Sequence, residues 1–333
     1  MNLLILLSGK EGDFVIFEAK DLKIYYKTKK GFVKAVDNIS LNVEKGQTVG
    51  LVGESGCGKS TFGQGILRIL PPSTFYSGSL KIENQELLGI PESSMRKIRG
   101  KKIGMIFQDP MTSLNPVMRI EKLFYETLRT HEPEITEEEA RKRTAKVLEK
   151  VGIEPERMRE YSFQFSGGMR QRVMIALTLV LNPLLVIADE PTTSLDVIVQ
   201  AQIMNLLNEL RKEYDMSMIL ITHDLGVVAE MADKICVMYA GHIVEEALSE
   251  DLYYRPKHPY TELLLKSIPN TNINDLELKY IPGSPPDLLN PPIGCRFAPR
   301  CPYKKEICEK KVPPTVKVDK TKVKCWLYSE VEQ

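Results

Sequence analysis

The sequence predicts an α/β fold. From about Asp21 to Ala247, short β-rich runs alternate with helical patterns. The runs Thr48–Val52, Leu184–Ala188 and Met218–Thr222 are nearly continuous in apolar residues, as expected of strands in a parallel sheet covered on both faces. Polar residues follow each of the three runs. Ligands of open α/β sheets bind at the carboxyl ends of the strands, so those residues are the first candidates for a site.

The remaining elements follow in chain order. Between Pro110 and Leu181 the pattern becomes helical. Thr136 with Glu139 reads as a capping box, and Glu137/Arg141, Glu138/Lys142 and Glu139/Arg143 are i,i+4 pairs. We read this stretch as a helical subdomain inserted in the core. A helix over about Val197 to Arg211 carries Val199, Ile203, Leu206, Leu207 and Leu210 on one stripe, which is core packing. Beyond Lys266 the texture changes to a proline-rich stretch (Pro282, Pro285, Pro286, Pro291, Pro292) and then a cysteine cluster, the signature of a linker and a small C-terminal module. The expected division is a large domain over 1–265, with its helical subdomain at about 110–181, and an extension over 266–333.

Composition narrows the function. A chain of 333 residues can bury a substantial core. Its 45 Lys and Arg nearly balance 44 Asp and Glu, so no basic excess exists to neutralise a row of phosphates, and a dedicated nucleic-acid binder is not expected. The apolar stretch Leu3–Leu7 lacks the flanks of a signal peptide and the length of a membrane span. No later run reaches the roughly eighteen apolar residues of a membrane helix, so work at a membrane is expected to go through a separate subunit.

Three motifs carry chemistry. Gly53-Glu54-Ser55-Gly56-Cys57-Gly58-Lys59-Ser60-Thr61 follows an apolar strand and runs into a helical stretch, which is the context the P-loop pattern requires. Its glycines allow backbone N–H groups to wrap phosphates at a helix N-terminus. Lys59 supplies a positive charge to the β- and γ-phosphates, Ser60 a hydroxyl to Mg²⁺, and Thr61 a further phosphate contact. Leu184-Leu185-Val186-Ile187-Ala188-Asp189-Glu190 is a buried strand ending in two carboxylates. Alone, such a pair is as readily a solvated surface feature. Beside a P-loop, Asp189 is expected near Mg²⁺ and Glu190 becomes the candidate general base. Phe165-Ser166-Gly167-Gly168-Met169-Arg170-Gln171-Arg172 opens a helix, and by itself an ordinary N-cap explains it better than an anion site.

In combination, this last segment resembles the signature motif of ABC proteins, in the Phe-Ser-Gly-Gly-Met form of the ATPases of oligopeptide and dipeptide importers. The resemblance spans about residues 16 to 330. It implies a P-loop NTPase core with an antiparallel β subdomain, an inserted helical subdomain and a small cysteine-rich C-terminal extension. Gln108, after Ile103–Phe107, stands where the family has its Q-loop glutamine, which joins the Mg²⁺ and water site to the helical subdomain. Ser194-Leu195-Asp196 matches the D-loop, and His223 the switch histidine at the γ-phosphate. Tyr26 falls where an aromatic ring stacks on adenine, with Tyr25 beside it as a competitor. The family pattern pairs the P-loop of one subunit with Ser166, Gly167 and Gly168 of another, so two ATPs are held in a head-to-tail dimer, either homo- or heterodimeric. It also implies transmembrane permease subunits, an external peptide-binding protein acting indirectly, and a peripheral place on the cytoplasmic face of the membrane. Two alternatives stay open: import of another solute, such as a sugar or metal complex, and an ABC ATPase without a transporter.

Four of six cysteines crowd the tail as Cys295-x5-Cys301-x6-Cys308-x16-Cys325. A short Pro- and Lys-rich module needs a staple, and in a reducing compartment that leaves a metal or free thiols. The spacing lacks the close Cys pairs of zinc ribbons, and thiolates suit zinc or an iron–sulfur cluster alike. Gly294-Cys295-Arg296-Phe297-x3-Cys301-Pro302 resembles the C-terminal extension of the peptide-importer ATPases, which implies a [4Fe–4S] cluster on the four cysteines, with Zn²⁺ as the alternative. Pro256-x-His258-Pro259-Tyr260-Thr261 resembles the same subfamily, and His258 is expected to be structural.

Overall fold

Apolar strands that must be covered on both faces organise the molecule. The computed structural model describes residues 14–193, 195–267 and 280–329. The Leu3–Leu7 run, Ser194 and residues 268–279, just past the expected boundary between domain and extension, lie outside the described residues.

The first half contains β1 (Val15–Thr28), β2 (Gly31–Glu44), β3 (Thr48–Val52), α1 (Lys59–Ile66), β4 (Phe75–Ile82), β5 (Gln85–Glu86), α2 (Glu92–Ile98) and β6 (Ile103–Ile106). A helical stretch follows, with α3 (Pro110–Ser113), α4 (Ile120–His131), α5 (Glu137–Lys150) and α6 (Gly167–Leu179). The chain then returns to the sheet through β7 (Leu185–Asp189), α7 (Val197–Tyr214), β8 (Ser217–Thr222), α8 (Leu225–Met231), β9 (Lys234–Tyr239) and β10 (His242–Leu248). It finishes with α9 (Ser249–Tyr254), α10 (Pro259–Lys266), α11 (Glu306–Lys310), β11 (Thr315–Val318) and β12 (Thr321–Lys324).

Among the described residues the strands form two sheets. One is antiparallel, in the order β2-β1-β4-β5; the other runs β11-β12-β10-β9-β3-β8-β7-β6, with β9, β3, β8, β7 and β6 paired in parallel. Alternation along its central strands explains the apolar runs. Val49, Leu51, Leu185, Ile187, Ile219 and Ile221 face the antiparallel sheet and α1, where they pack with Phe17, Ile24 and Phe62. Val52, Val186, Ala188, Met218 and Leu220 face the other way, into a core shared with the helices. Period-two alternation with apolar residues on both faces gives a continuous run, and each fully buried side chain contributes roughly 1.5–3 kcal/mol.

Local signals mostly act as expected. The Thr136 hydroxyl accepts from the Glu139 N–H at 3.2 Å and starts α5. Of the three i,i+4 pairs, Lys142 meets Glu138 at 2.7 Å, whereas Arg141 turns to Glu121 at 3.3 Å and Arg143 to Glu132 at 2.6 Å. Packing of α5 against α4 brings those carboxylates within reach, and the tertiary partners win over the helical ones.

The C-terminal segment does not stand apart from the large domain. β12 pairs with β10 at Glu245↔Val323 and Glu246↔Lys322, so the tail hairpin lengthens the main sheet. Phe297 is buried against Tyr239, Tyr260 and His258, at ring separations of 5.1, 5.4 and 5.8 Å. His258 is structural in this setting: its Nδ1 accepts from the Tyr260 N–H at 3.0 Å, capping α10, and burial pulls the imidazole down to about 3.

Candidate active site

β3 lies in the middle of the main sheet, between β9 and β8, and its end delivers the chain into a glycine-rich turn. Gly58 closes that turn at φ +109, immediately before α1. A Cβ there would stand 2.0 Å from the Ala35 carbonyl oxygen, so the position needs glycine for both its dihedral and its space. The turn therefore lies flat against β2, and the first N–H groups of α1, which have no partner within the helix, open on the cavity beyond. Lys59 is buried, with Nζ donating to the Gly53 carbonyl at 2.8 Å and the Glu54 carbonyl at 3.2 Å.

β7 ends in Asp189, and Glu190 follows it. The Ser60 hydroxyl donates to Asp189 Oδ1 at 2.9 Å. Burial pushes the Asp189 carboxyl up to about 6; the Ser60 hydrogen bond and Lys59 oppose the rise, and the charge of Glu190 adds to it. Glu190 sits at φ +45, uncommon outside glycine, and its N–H donates to the Ile221 carbonyl at 2.8 Å. Such a conformation costs of order 1–3 kcal/mol and persists because the neighbouring strand pins it. Its effect is to hold the Glu190 side chain among residues from two other strand ends. Gln108 Nε2, after β6, donates to Glu190 Oε2 at 3.2 Å, and His223 Nδ1, after β8, lies 3.5 Å from the same oxygen. The Thr193 hydroxyl donates to it at 2.9 Å.

Most of these groups line one cavity of about 500 Å³, with Asp189 and Thr193 behind its wall, bonded to Ser60 and Glu190. Lys59, Ser60, Gln108, Glu190 and His223 make its polar end, with Ser55, Gly56, Gly58 and Thr61 along the loop; Tyr26, Val33, Ala35 and Leu288 make an apolar end. Tyr26 is the tyrosine that faces the cavity, with its hydroxyl 3.1 Å from Thr61 Oγ1. Tyr25 points away: its hydroxyl donates to Asp37 at 2.5 Å, and its ring packs on Phe32 and Phe75. Gly53 and Cys57 shape the loop from behind, Cys57 being buried with its thiol pushed up by desolvation. The donor set suits a hard cation. Ser60 and Asp189 offer oxygens side by side, and the Gln108 amide carries a further one.

Ser166, Gly167, Gly168 and Asp196 do not line this cavity. Ser166 caps α6 by accepting from the Met169 N–H at 3.3 Å, and Asp196 caps α7 by accepting from the Val199 N–H at 3.0 Å. The two helix starts press together: a Cβ on Gly168 would stand 2.6 Å from Val199 Cγ1. Sequence reasoning overlooked Thr193, Val33, Ala35 and Leu288. Thr193 had a usable signal, three residues beyond Glu190 in a turn. Leu288 had none, because it reaches the cavity from a distant segment.

Residues 36–193 match the family model described as ABC transporter, and residues 244–308 match the one described as oligopeptide/dipeptide transporter, C-terminal region. The oligopeptide transport ATP-binding protein OppD of Bacillus subtilis is 50% identical over 318 residues, covering 94% of this chain and 88% of the relative. The chain belongs to the ABC transporter ATP-binding family. The dipeptide transport ATP-binding protein DppD of the same organism is 45% identical, with 95% of each chain covered. Among solved structures, the dimeric ATP-binding cassette MJ0796 in a post-hydrolysis state with ADP and Pi aligns at TM-score 0.63 and 29% identity, over 70% of this chain and 98% of that one. Membership makes this chain an ATPase. Among the described residues no helix is long and apolar enough to cross a membrane.

The match to the family's C-terminal region contains Cys295, Cys301 and Cys308, and Cys325 lies beyond it. Cys308 and Cys325 are buried, Cys295 and Cys301 half-buried, and none is in a disulfide. Burial pushes the Cys295 thiol up to about 11, and the neighbouring Cys308, Cys325 and Cys301 contribute to the rise. The four thus sit near one another. Yet among the described residues no three or more His, Cys, Asp or Glu side chains are gathered closely enough to hold a metal ion. The expectation of a [4Fe–4S] cluster or Zn²⁺ on this set therefore gains no support from the geometry, because proximity sufficient for electrostatic influence is looser than ligation.

Proposed function

We propose that this chain is the ATP-binding and hydrolysing subunit that powers import of di- or oligopeptides through an ABC transporter. The observation that carries the reading is the single cavity lined by Lys59, Ser60, Gln108, Glu190 and His223, in a chain whose relatives are named for oligopeptide and dipeptide transport. ATP is assigned with its phosphates on the Gly53–Thr61 loop and its base against Tyr26 at the apolar end. Ser60, Asp189 and Gln108 hold Mg²⁺, which when bound neutralises phosphate charge. Glu190 is the general base: its carboxylate orients and takes a proton from the attacking water through Oε1, while Gln108, Thr193 and His223 hold Oε2 in place. Lys59 and the N-terminus of α1 stabilise the charge that gathers on the phosphate oxygens.

Ser166, Gly167, Gly168 and Asp196 are assigned to the nucleotide of a second ATPase subunit, same or different, in a head-to-tail dimer. Their exclusion from this chain's own cavity supports that assignment. The dimer drives permease subunits from the cytoplasmic face of the membrane, and an external binding protein delivers the peptide. The four tail cysteines are proposed to draw together around a thiophilic metal centre, [4Fe–4S] or else Zn²⁺, given the soft donor set. Iron, sulfide and zinc analysis of anaerobically purified chain decides that point, and the ATPase reading does not depend on it.

The test of the main reading uses the chain assembled with its permease in vesicles. Glu190→Gln should keep ATP binding but slow hydrolysis by about 10²–10⁴-fold and abolish uptake of labelled peptides. Hydrolysis at the unsubstituted rate would refute the assignment of Glu190, and uptake of sugars or metal complexes in place of peptides would refute the cargo.

A further inference from the structure

The nucleotide cavity has a wall that belongs to neither the P-loop nor the strands around it. Leu288 comes from the proline-rich stretch more than 200 positions after Gly58, yet it lines the apolar end with Tyr26, Val33 and Ala35. It is held there by its own backbone, since its carbonyl accepts from the Lys34 N–H at 2.9 Å. Its neighbour Leu289 lies alongside the β1–β2 turn, where a Cβ on Gly31 would be 3.5 Å from Leu289 Cδ1.

The same segment grips the phosphate end. Arg300 is buried and places all five guanidinium N–H groups. Nη1 and Nη2 donate to the two carboxylate oxygens of Glu54 at 2.7 and 3.0 Å, a bidentate pair with the second residue of the phosphate loop. The remaining donors go to the Tyr239 hydroxyl at 3.3 Å, the Pro282 carbonyl at 2.8 Å and the Ile281 carbonyl at 3.2 Å. Arg300 thus ties the loop to the start of the stretch that carries Leu288. Between these points Arg296 donates to the Ala240 carbonyl and to Asp37, while the Asp37 N–H donates to the Gly241 carbonyl and the Gly241 N–H to the Cys57 carbonyl, each at 2.8 Å. The tail is therefore bonded both to β2, which forms the apolar wall, and to the loop that faces the phosphates.

We propose that the C-terminal segment completes the nucleotide site of its own chain, with Leu288 forming part of the base-binding wall and Arg300 acting as a positioning residue that holds the phosphate loop through Glu54. The inference rests on the reading that the Gly53–Thr61 loop cradles ATP. It gives the segment a direct bearing on nucleotide affinity, whatever its thiols carry. A guanidinium is needed for the brace, because an ammonium cannot span both oxygens of Glu54 while also serving two carbonyls.

The two residues touch opposite ends of the cavity, so two ligands separate their effects. Dissociation constants of Mg-ATP and of inorganic tripolyphosphate would be measured by calorimetry on the full chain, for the unsubstituted protein and for Leu288→Ala, Arg300→Ala, Arg300→Lys and Lys59→Ala. Leu288→Ala should weaken Mg-ATP by about fivefold, as expected for an apolar contact partly lost, and leave tripolyphosphate unchanged. Arg300→Ala should weaken both ligands, with Arg300→Lys recovering part of the loss. A general loosening of the fold would instead weaken both ligands in Leu288→Ala, and that result overturns the wall. Unaltered binding of both ligands in Arg300→Ala and Arg300→Lys overturns the brace. If Arg300→Ala melts below the assay temperature, Arg300→Lys and the Leu288 comparison still decide. Lys59→Ala is the control: undiminished Mg-ATP binding there places ATP elsewhere and overturns the cradle reading itself, whereas its loss together with unaltered Leu288 and Arg300 variants overturns only the role of the tail.

Discussion

Replacing Asp189 by Asn should stabilise the nucleotide-free protein, and the gain should depend on pH in a defined way. Asp189 is 2% exposed, and burial lifts its carboxyl from an ordinary 3.8 to about 6. The rise of about two units corresponds to roughly 3 kcal/mol, at about 1.4 kcal/mol per unit. The sign follows from proton counting. Between about pH 4 and 6 the folded chain keeps a proton that the unfolded chain releases, so the contribution of Asp189 to stability is fully present below pH 4 and lost as pH rises through 6. Asn carries no such charge, and its side-chain oxygen can still accept from Ser60. With an unfolding entropy of about 2.1 cal/mol/K per residue, the difference for this chain is roughly 4 °C in melting temperature. The assay is thermal unfolding of the full chain in chelator from pH 4.5 to 8, with the variant melting higher at pH 8 and the curves converging toward the acid end. Adding Mg²⁺ and ATP should reverse the order, because the ionised carboxylate that costs stability alone is what the cation needs. Equal melting temperatures at pH 8 without nucleotide would refute the burial argument.

Two further substitutions test the scaffold. Gly58→Ala forces a side chain into φ +109 and places its Cβ 2.0 Å from the Ala35 carbonyl, so the phosphate loop must lift off β2. Calorimetry should show Mg-ATP affinity falling at least tenfold, and unaltered affinity would mean the loop has room that the structure does not provide. Glu245 is fully buried, and its carboxylate accepts from the Lys257 N–H at 2.7 Å and the His258 N–H at 2.8 Å, tying β10 to the start of α10. Glu245→Ala strands both donors, one on each carboxylate oxygen, and should cost about 2–5 kcal/mol in denaturant unfolding. A loss well under about 1 kcal/mol would show that these two hydrogen bonds do not hold α10 to β10.

The sequence by itself determined the core. Strands buried on both faces must be written as unbroken apolar runs, and a phosphate cradle must be written as glycines before a helix. Thr48–Val52, Gly53–Thr61 and the Asp189–Glu190 pair were therefore legible from composition and spacing, because each is local in the chain. Tertiary structure alone decided between Tyr25 and Tyr26, since adjacent residues of a strand point to opposite faces and only the assembled sheets say which face meets the cavity. It alone turned Arg141 and Arg143 from helical partners to Glu121 and Glu132. It also attached the tail: β12 joins β10, Leu288 walls the nucleotide cavity, and Arg300 meets Glu54 across 246 positions. Contacts so distant in sequence leave no periodicity or spacing to read. They come into being only when the sheet has brought the two ends of the chain together.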